Sequence, residues 1–356
     1  MKKLFALILA GALAASSLTA CGSTAVVAVP QPEATTPPAA EPARESTPET
    51  SGAAVKTGFY LGTDISGSQS AAEEEGVAQV NLELVAVTLT DEGVIDECVI
   101  DAIQSKINFD ATGAITTDLT APVLSKNELG DGYGMKKASA IGKEWNEQVQ
   151  ALADYVEGKT LEEIRGIAVT EEGKAGEADL AASVTISIAG YLDAIEQAAA
   201  NATHLGAQQG DTLVLTTATD IAGSKDAGPE GDGTAQTYAT VAAITLNGDV
   251  ITSCTIDAVQ ADVNFDTTGT ITTDLTAPVL SKNALGDDYG MKKASAIGKE
   301  WYEQAAAFSA YVVGKTPEEV SGIAVNEKGG AADADLATSV TISIGQFQAL
   351  VAKAGA

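Results

Sequence analysis

Residues 79–103 read QVNLELVAVTLTDEGVIDECVIDAI. β-Branched residues crowd both sides of Asp91-Glu92-Gly93, the composition of two strands joined by a tight turn, so the stretch predicts an antiparallel hairpin. The chain writes it twice: Leu246-Asn247-Gly248-Asp249 is the turn of a second hairpin. Around the hairpins the duplication is nearly verbatim. ITTDLTAPVLSKN at Ile115–Asn127 recurs 156 positions later at Ile271–Asn283, and YGMKKASAIGKEW at Tyr133–Trp145 recurs at Tyr289–Trp301. The offset holds from Cys98/Cys254 to Thr185/Thr341, and TDISGS at Thr63–Ser68 matches TDIAGS at Thr219–Ser224. So long a period does not fit a solenoid; it indicates two tandem homologous domains, each long enough to bury its own core.

Each copy turns helical after its hairpin. Ile141, Trp145, Val149, Leu152 and Val156 recur every three or four residues and form one apolar face, as do Ile297, Trp301, Ala305, Phe308 and Val312. Gly158 and Gly314 read as stops, since a left-handed residue beyond the last turn is cheapest for glycine. Thr160 with Glu163, and Thr316 with Glu319, form capping boxes, Pro317 taking the first helical position. A last helix is expected over Ile188–Ala199 and Ile344–Ala354, with Ser187 and Ser343 as N-caps. The expected class is α+β, an antiparallel sheet in the first half of each copy packed against C-terminal helices. Repeat 1 is expected over 57–200, a linker over 201–210 and repeat 2 over 211–356.

The N-terminus is a different kind of sequence. Lys2 and Lys3 precede an apolar run that ends in Leu18-Thr19-Ala20-Cys21, a secretory signal over 1–20 closing in a box that resembles that of bacterial lipoproteins. Cleavage before Cys21 and a lipid on its sulfur would anchor the chain at the extracytoplasmic face of the bacterial membrane. Residues 21–56 are rich in Pro, Thr, Ala and Glu and read as an extended tether.

Composition narrows the chemistry. Twenty Lys and Arg against 49 Asp and Glu give a net charge of −29, which repels phosphate backbones and excludes nucleic acid as a natural partner. The single histidine, His204, lies between the copies, so neither copy can build a Ser-His-Asp or Cys-His site. Gly158-Lys159-Thr160 lacks the earlier glycine of a phosphate loop, Ala153 standing there. Cys98 and Cys254, at equivalent strand positions, read as two buried thiols. No metal site is expected.

Asp179-Leu-Ala-Ala-Ser-Val-Thr185 and Asp335-Leu-Ala-Thr-Ser-Val-Thr341 each precede the last helix. This Asp-x-x-Ser/Thr-x-x-Thr pattern resembles the motif of the FMN-binding domain family, found in flavin-carrying respiratory subunits and in extracellular electron-transfer lipoproteins. The resemblance implies FMN joined by a transferase to Thr185 and Thr341, with Asp179, Asp335, Ser183, Ser339, Ser187 and Ser343 around it, and a membrane redox partner. Where the family has Gly-Ala, this chain has Ser183-Val184 and Ser339-Val340, and Ala182 stands at the Ser/Thr place of the first copy. The helix start offers unpaired N–H groups to a phosphate, and Lys126, Lys136, Lys137 and Lys143, with Lys282, Lys292, Lys293 and Lys299, supply positive charge. Tyr133, Met135 and Trp145, with their counterparts Tyr289, Met291 and Trp301, are candidates for packing on a flavin ring or for core. The expected function is a carrier of flavin or electrons rather than a complete enzyme. The alternative is a cofactor-free tandem binding or adhesion module, with the threonines as ordinary strand ends.

Overall fold

Both hairpins acquire a third strand. In the computed structural model, which describes residues 52–356, β1 (Lys56–Asp64) pairs antiparallel with β2 (Gly76–Leu89), and β2 with β3 (Ile95–Phe109). β4 (Thr212–Asp220), β5 (Gly233–Asn247) and β6 (Val250–Phe265) repeat the order in a second antiparallel sheet. The signal segment, Cys21 and nearly all of the tether lie outside the described residues. Gly93 and Gly248 turn the hairpins with φ of 80° and 58°, conformations that a Cβ resists. Gly76 pairs with Phe109 and Gly233 with Phe265, so β2 and β5 correspond at an offset of 157, one more than their neighbours.

The helices follow in the same order in each repeat. Repeat 1 has α1 (Lys126–Leu129), α2 (Trp145–Val156), α3 (Leu161–Arg165), α4 (Ala178–Ala181) and α5 (Ala189–Ala200). Repeat 2 has α6 (Lys282–Leu285), α7 (Trp301–Val312), α8 (Pro317–Ser321), α9 (Ala334–Ala337) and α10 (Gly345–Ala354). Both threonine capping boxes are formed.

Two boundaries differ from expectation. α2 and α7 start four residues later than Ile141 and Ile297, because Glu144 and Glu300 take the N-cap and close boxes with Glu147 and Glu303. These buried carboxylates also accept the N–H groups of Met135 and Lys136, or of Met291 and Lys292, at 2.7–2.9 Å, and so hold the Tyr-Gly-Met loop on the helix. α5 and α10 start at Ala189 and Gly345 with isoleucine at the cap position and no side-chain cap. Ser187 is not the cap; its hydroxyl donates to the Gly173 carbonyl at 3.3 Å.

Strand alternation divides each sheet into two apolar faces. Val85, Val87, Leu89, Ile100 and Ala102 face outward onto α2 and α5, and Ala242, Ile244, Leu246, Ile256 and Ala258 face α7 and α10. The inner faces meet each other. Leu82, Leu84, Ile103 and Ile107 of one sheet share a core with Ala239, Val241, Val259 and Val263 of the other. The phenyl rings of Phe109 and Phe265 stack there, centroids 4.1 Å apart and planes within 1°. Each repeat therefore has a core of its own, and a third core belongs to both.

Loops lock the pair. The Ala71 N–H donates to the Gly269 carbonyl and the Ala227 N–H to that of Gly113, each at 2.8 Å. A Cβ on Gly113 would lie 2.6 Å from the Ala227 methyl, so this close approach needs glycine. Residues 201–210, the expected linker, are paired to the start of the fold. Thr203 bridges Thr57, and the Val55 N–H donates to the Ala207 carbonyl at 3.0 Å.

Candidate functional site

The two motif threonines have one geometry. The N–H and hydroxyl of Thr185 both donate to Gln148 Oε1, at 2.8 and 3.1 Å, and those of Thr341 to Gln304 Oε1 at the same distances. Both glutamines are fully buried, and their Nε2 atoms donate to the Lys143 and Lys299 carbonyls at 3.2 Å. Neither threonine ends a strand; the contact ties the loop between α4 and α5, or between α9 and α10, to the first turn of α2 or α7. Val184 and Val340, where the family has alanine, belong to the outer cores. Thr185 is half-buried and Thr341 exposed; Asp179 and Asp335 are exposed on α4 and α9, and it is Asp333 that caps α9. Ser183 and Ser339 are half-buried, while Ser187 and Ser343 are exposed. Of all these residues, Ser187 lines the cavity described next.

That cavity, of about 470 Å³, lies over the outer face of the first sheet where α5 begins. Its floor is made of two rows of paired residues, Gly62-Glu83-Ala102 and Asp64-Asn81-Gln104. Tyr60, Lys126, Ser187, Gly190 and Tyr191 complete the wall. Gly190 adds no side chain to this wall; a Cβ there would stand in ordinary contact, 3.4 Å from the Glu83 carboxylate. Burial, then the nearby Asp193 charge, raises the Glu83 carboxyl above its usual range. Burial, then Glu83, raises both tyrosine phenols. The Lys126 ammonium sits 4.8 Å from the Tyr133 ring centroid and 4.9 Å from that of Trp145, a cation held on aromatic faces.

Repeat 2 has the same backbone and different contents. At the positions of Asn81, Glu83, Gly190 and Tyr60 stand Tyr238, Thr240, Gln346 and Thr216. The Tyr238 hydroxyl accepts from Lys282 at 2.9 Å, and its ring lies 4.6 Å from the same ammonium. Thr240 donates to Gln346 Oε1 at 2.9 Å. Side chains thus occupy in repeat 2 the space that repeat 1 leaves open, and Lys282 is buried where Lys126 is only half-buried.

Other expected residues separate by environment. Lys136, Lys137, Lys292 and Lys293 are exposed, so the lysines do not converge on one point. Trp145 and Trp301 are core residues. Cys98 and Cys254 are free and buried, and burial pushes both thiols up, Cys254 to about 12, which keeps them protonated. Among the described residues, no group of three or more His, Cys, Asp or Glu is placed to hold a metal ion, and no helix is long and apolar enough to cross a membrane. Tyr60, Glu83 and Tyr191 had no motif to announce them. They sit where two nearly identical copies disagree, and that disagreement is the signal that finds them.

Fold and cavity together define a tandem-repeat α+β protein with a ligand-sized pocket in its first repeat. No family model matches the chain, and no solved structure matches it. A stretch of 41 residues is 46% identical to a chlorophenol reductase of Desulfitobacterium hafniense, covering 12% of this chain and 12% of that protein. So short a match leaves the fold, the cavity and the motif threonines to be read from this chain itself.

Proposed function

We propose that this chain is a lipid-anchored protein of the extracytoplasmic face that carries one FMN, in repeat 1, and exchanges electrons with a membrane partner. The observation that carries the reading is the repeat 1 cavity at the start of α5. Its volume of about 470 Å³ falls within the roughly 300–1,000 Å³ of pockets that bury small ligands. Tyr60 and Tyr191 offer faces to a flat ring, while Lys126 and the N-terminal end of α5 favour a phosphate. Thr185, two residues from the wall, is the attachment point that the motif suggests. Flavin would supply the redox chemistry; the chain's part is to hold the ring, shield it from water and set the Glu83 carboxyl beside it. Repeat 2, with Tyr238 and Gln346 in the equivalent space, does not fit the group. Co-expression with a flavin transferase tests this. The intact mass should rise by one FMN, lost in Thr185→Ala and retained in Thr341→Ala; a native protein without flavin absorbance removes the reading.

A second reading, a cofactor-free binding module whose tandem copies raise avidity, is favoured by the threonines themselves. Their bonds to Gln148 and Gln304 are the same in the repeat with the cavity and in the repeat without it, as a purely structural contact would be. A colourless protein that keeps binding a surface ligand after Thr185→Ala would support it.

A further inference from the structure

The two repeats meet at two related junctions, and only one is sealed. At the first, Val123 bridges Thr219, the Thr217 hydroxyl donates to Glu128 at 3.1 Å, and Lys353 pairs with Glu128 at 2.5 Å while donating to the Thr217 carbonyl at 2.6 Å. At the second junction the equivalents of Glu128, Lys353 and Thr217 are Ala284, Gln197 and Leu61. All three members of the seal are lost together. What remains is a cleft of about 720 Å³ between β1 and the 278–284 segment of repeat 2.

The cleft continues beneath Leu205. A neighbouring pocket of about 240 Å³ shares Leu205, Thr255 and Asn283 with it and runs along α7. Here too repeat 2 lacks polar groups that repeat 1 has. Gln150, Asp154 and Glu157 of α2 and its cap correspond to Ala306, Ala310 and Val313, all three lining this pocket. Leu205, Leu280 and Val313 remain exposed around the two openings, at 37%, 48% and 36%. At its floor the buried hydroxyl of Ser309 has no hydrogen-bond partner. In a chain of net charge −29, Asp257 is the one charged residue lining either pocket, and its carboxylate is already engaged by the N–H groups of Ala258 and Asn283.

We propose that this composite cleft is a second ligand site and that it takes an uncharged amphiphile. A hydroxyl-bearing head lies among Gln197, Asn201 and Thr203, and a single hydrocarbon chain runs among Leu205, Ala306 and Val313. Loss of charge on both walls removes the desolvation cost that would oppose the chain, and the carboxamides and hydroxyls on the β1 side supply donors and acceptors for the head. The cleft and the first cavity share Tyr60, Gly62 and Thr63 of β1, but none of the residues assigned to the head and the chain lines the first cavity.

Calorimetric titration of the full chain with octyl β-D-glucoside below its micellar concentration tests the proposal. Saturable binding at one site is expected, with glucose showing none and octanoate binding at least about tenfold more weakly. Val313→Glu and Ala310→Asp, which restore the repeat 1 residues at exposed positions, should each weaken octyl glucoside about tenfold or more while the melting temperature stays at that of the parent. Gly190→Gln, in the first cavity, should leave it unchanged. Absence of saturable binding, equal binding of octanoate, or binding indifferent to both α7 variants overturns the assignment.

Discussion

Repeat 1 and repeat 2 share a backbone and long verbatim stretches, and they differ where the sheet meets the last helix and where the helix meets the junction. In the first, Asn81 and Gly190 are small and both line an open cavity. In the second, Tyr238 rises to Lys282 and Gln346 reaches Thr240. The inner faces diverge in a complementary way, since leucines and isoleucines of repeat 1 oppose alanines and valines of repeat 2. The two sheets are alike in backbone and unlike as partners, one carrying an open pocket and the other completing the shared interior.

The largest effect should come from that interior. Phe109→Ala and Phe265→Ala each remove half of a buried stack and should cost about 3–5 kcal/mol, measured by urea denaturation of the whole chain as one cooperative transition. Two separate transitions, one per repeat, would break the picture of a shared core. Next comes the plug. Tyr238→Asn deletes a ring and the hydrogen bond of the buried Lys282 ammonium, leaving it only the Tyr289 and Trp301 faces, which should cost about 3 kcal/mol, whereas the mirror change Asn81→Tyr should shift stability by less than about 1 kcal/mol.

Smaller effects sharpen the likeness of the repeats. Asp101 and Asp257, equivalent residues, are each raised by burial from an ordinary 3.8 to about 6. Between those values the folded state holds the extra proton, so both groups favour folding more as pH falls from 7 toward 5, by about 1 kcal/mol each. Thermal melts across that range should show the gain in the parent and a smaller one in the Asp101→Asn/Asp257→Asn protein. Smallest is the threonine contact. Thr185→Val and Thr341→Val should each cost about 1 kcal/mol for a hydrogen bond to a buried glutamine, and unequal costs would mean that one hydroxyl does more than hold its loop.

Much of the fold was legible because its determinants are local. Gly93, Gly158, Thr160 and Pro317 each act within a turn of themselves, and the sequence places them without help. The starts of α2 and α5 depart from the sequence pattern because the capping residue is chosen by what else it holds: Glu144 is fixed by the distant Met135 and Lys136 amides, and Ser187 is drawn away to Gly173. The joint core was invisible for a related reason. Period-two alternation shows that β2 has an apolar inner face, but both a helix and a second sheet can cover such a face. The cavity was harder still, since Tyr60, Glu83 and Tyr191 come from three elements and their meaning lies in Thr216, Thr240 and Phe347 at the equivalent places.

The most direct test of the account is the number of FMN molecules bound per chain, read from flavin absorbance and protein concentration after loading, in the parent and in Gly190→Gln. One FMN in the parent and a loss of at least about tenfold in affinity in the variant is the expected result. Two per chain, or one that survives closure of the repeat 1 cavity, would contradict it.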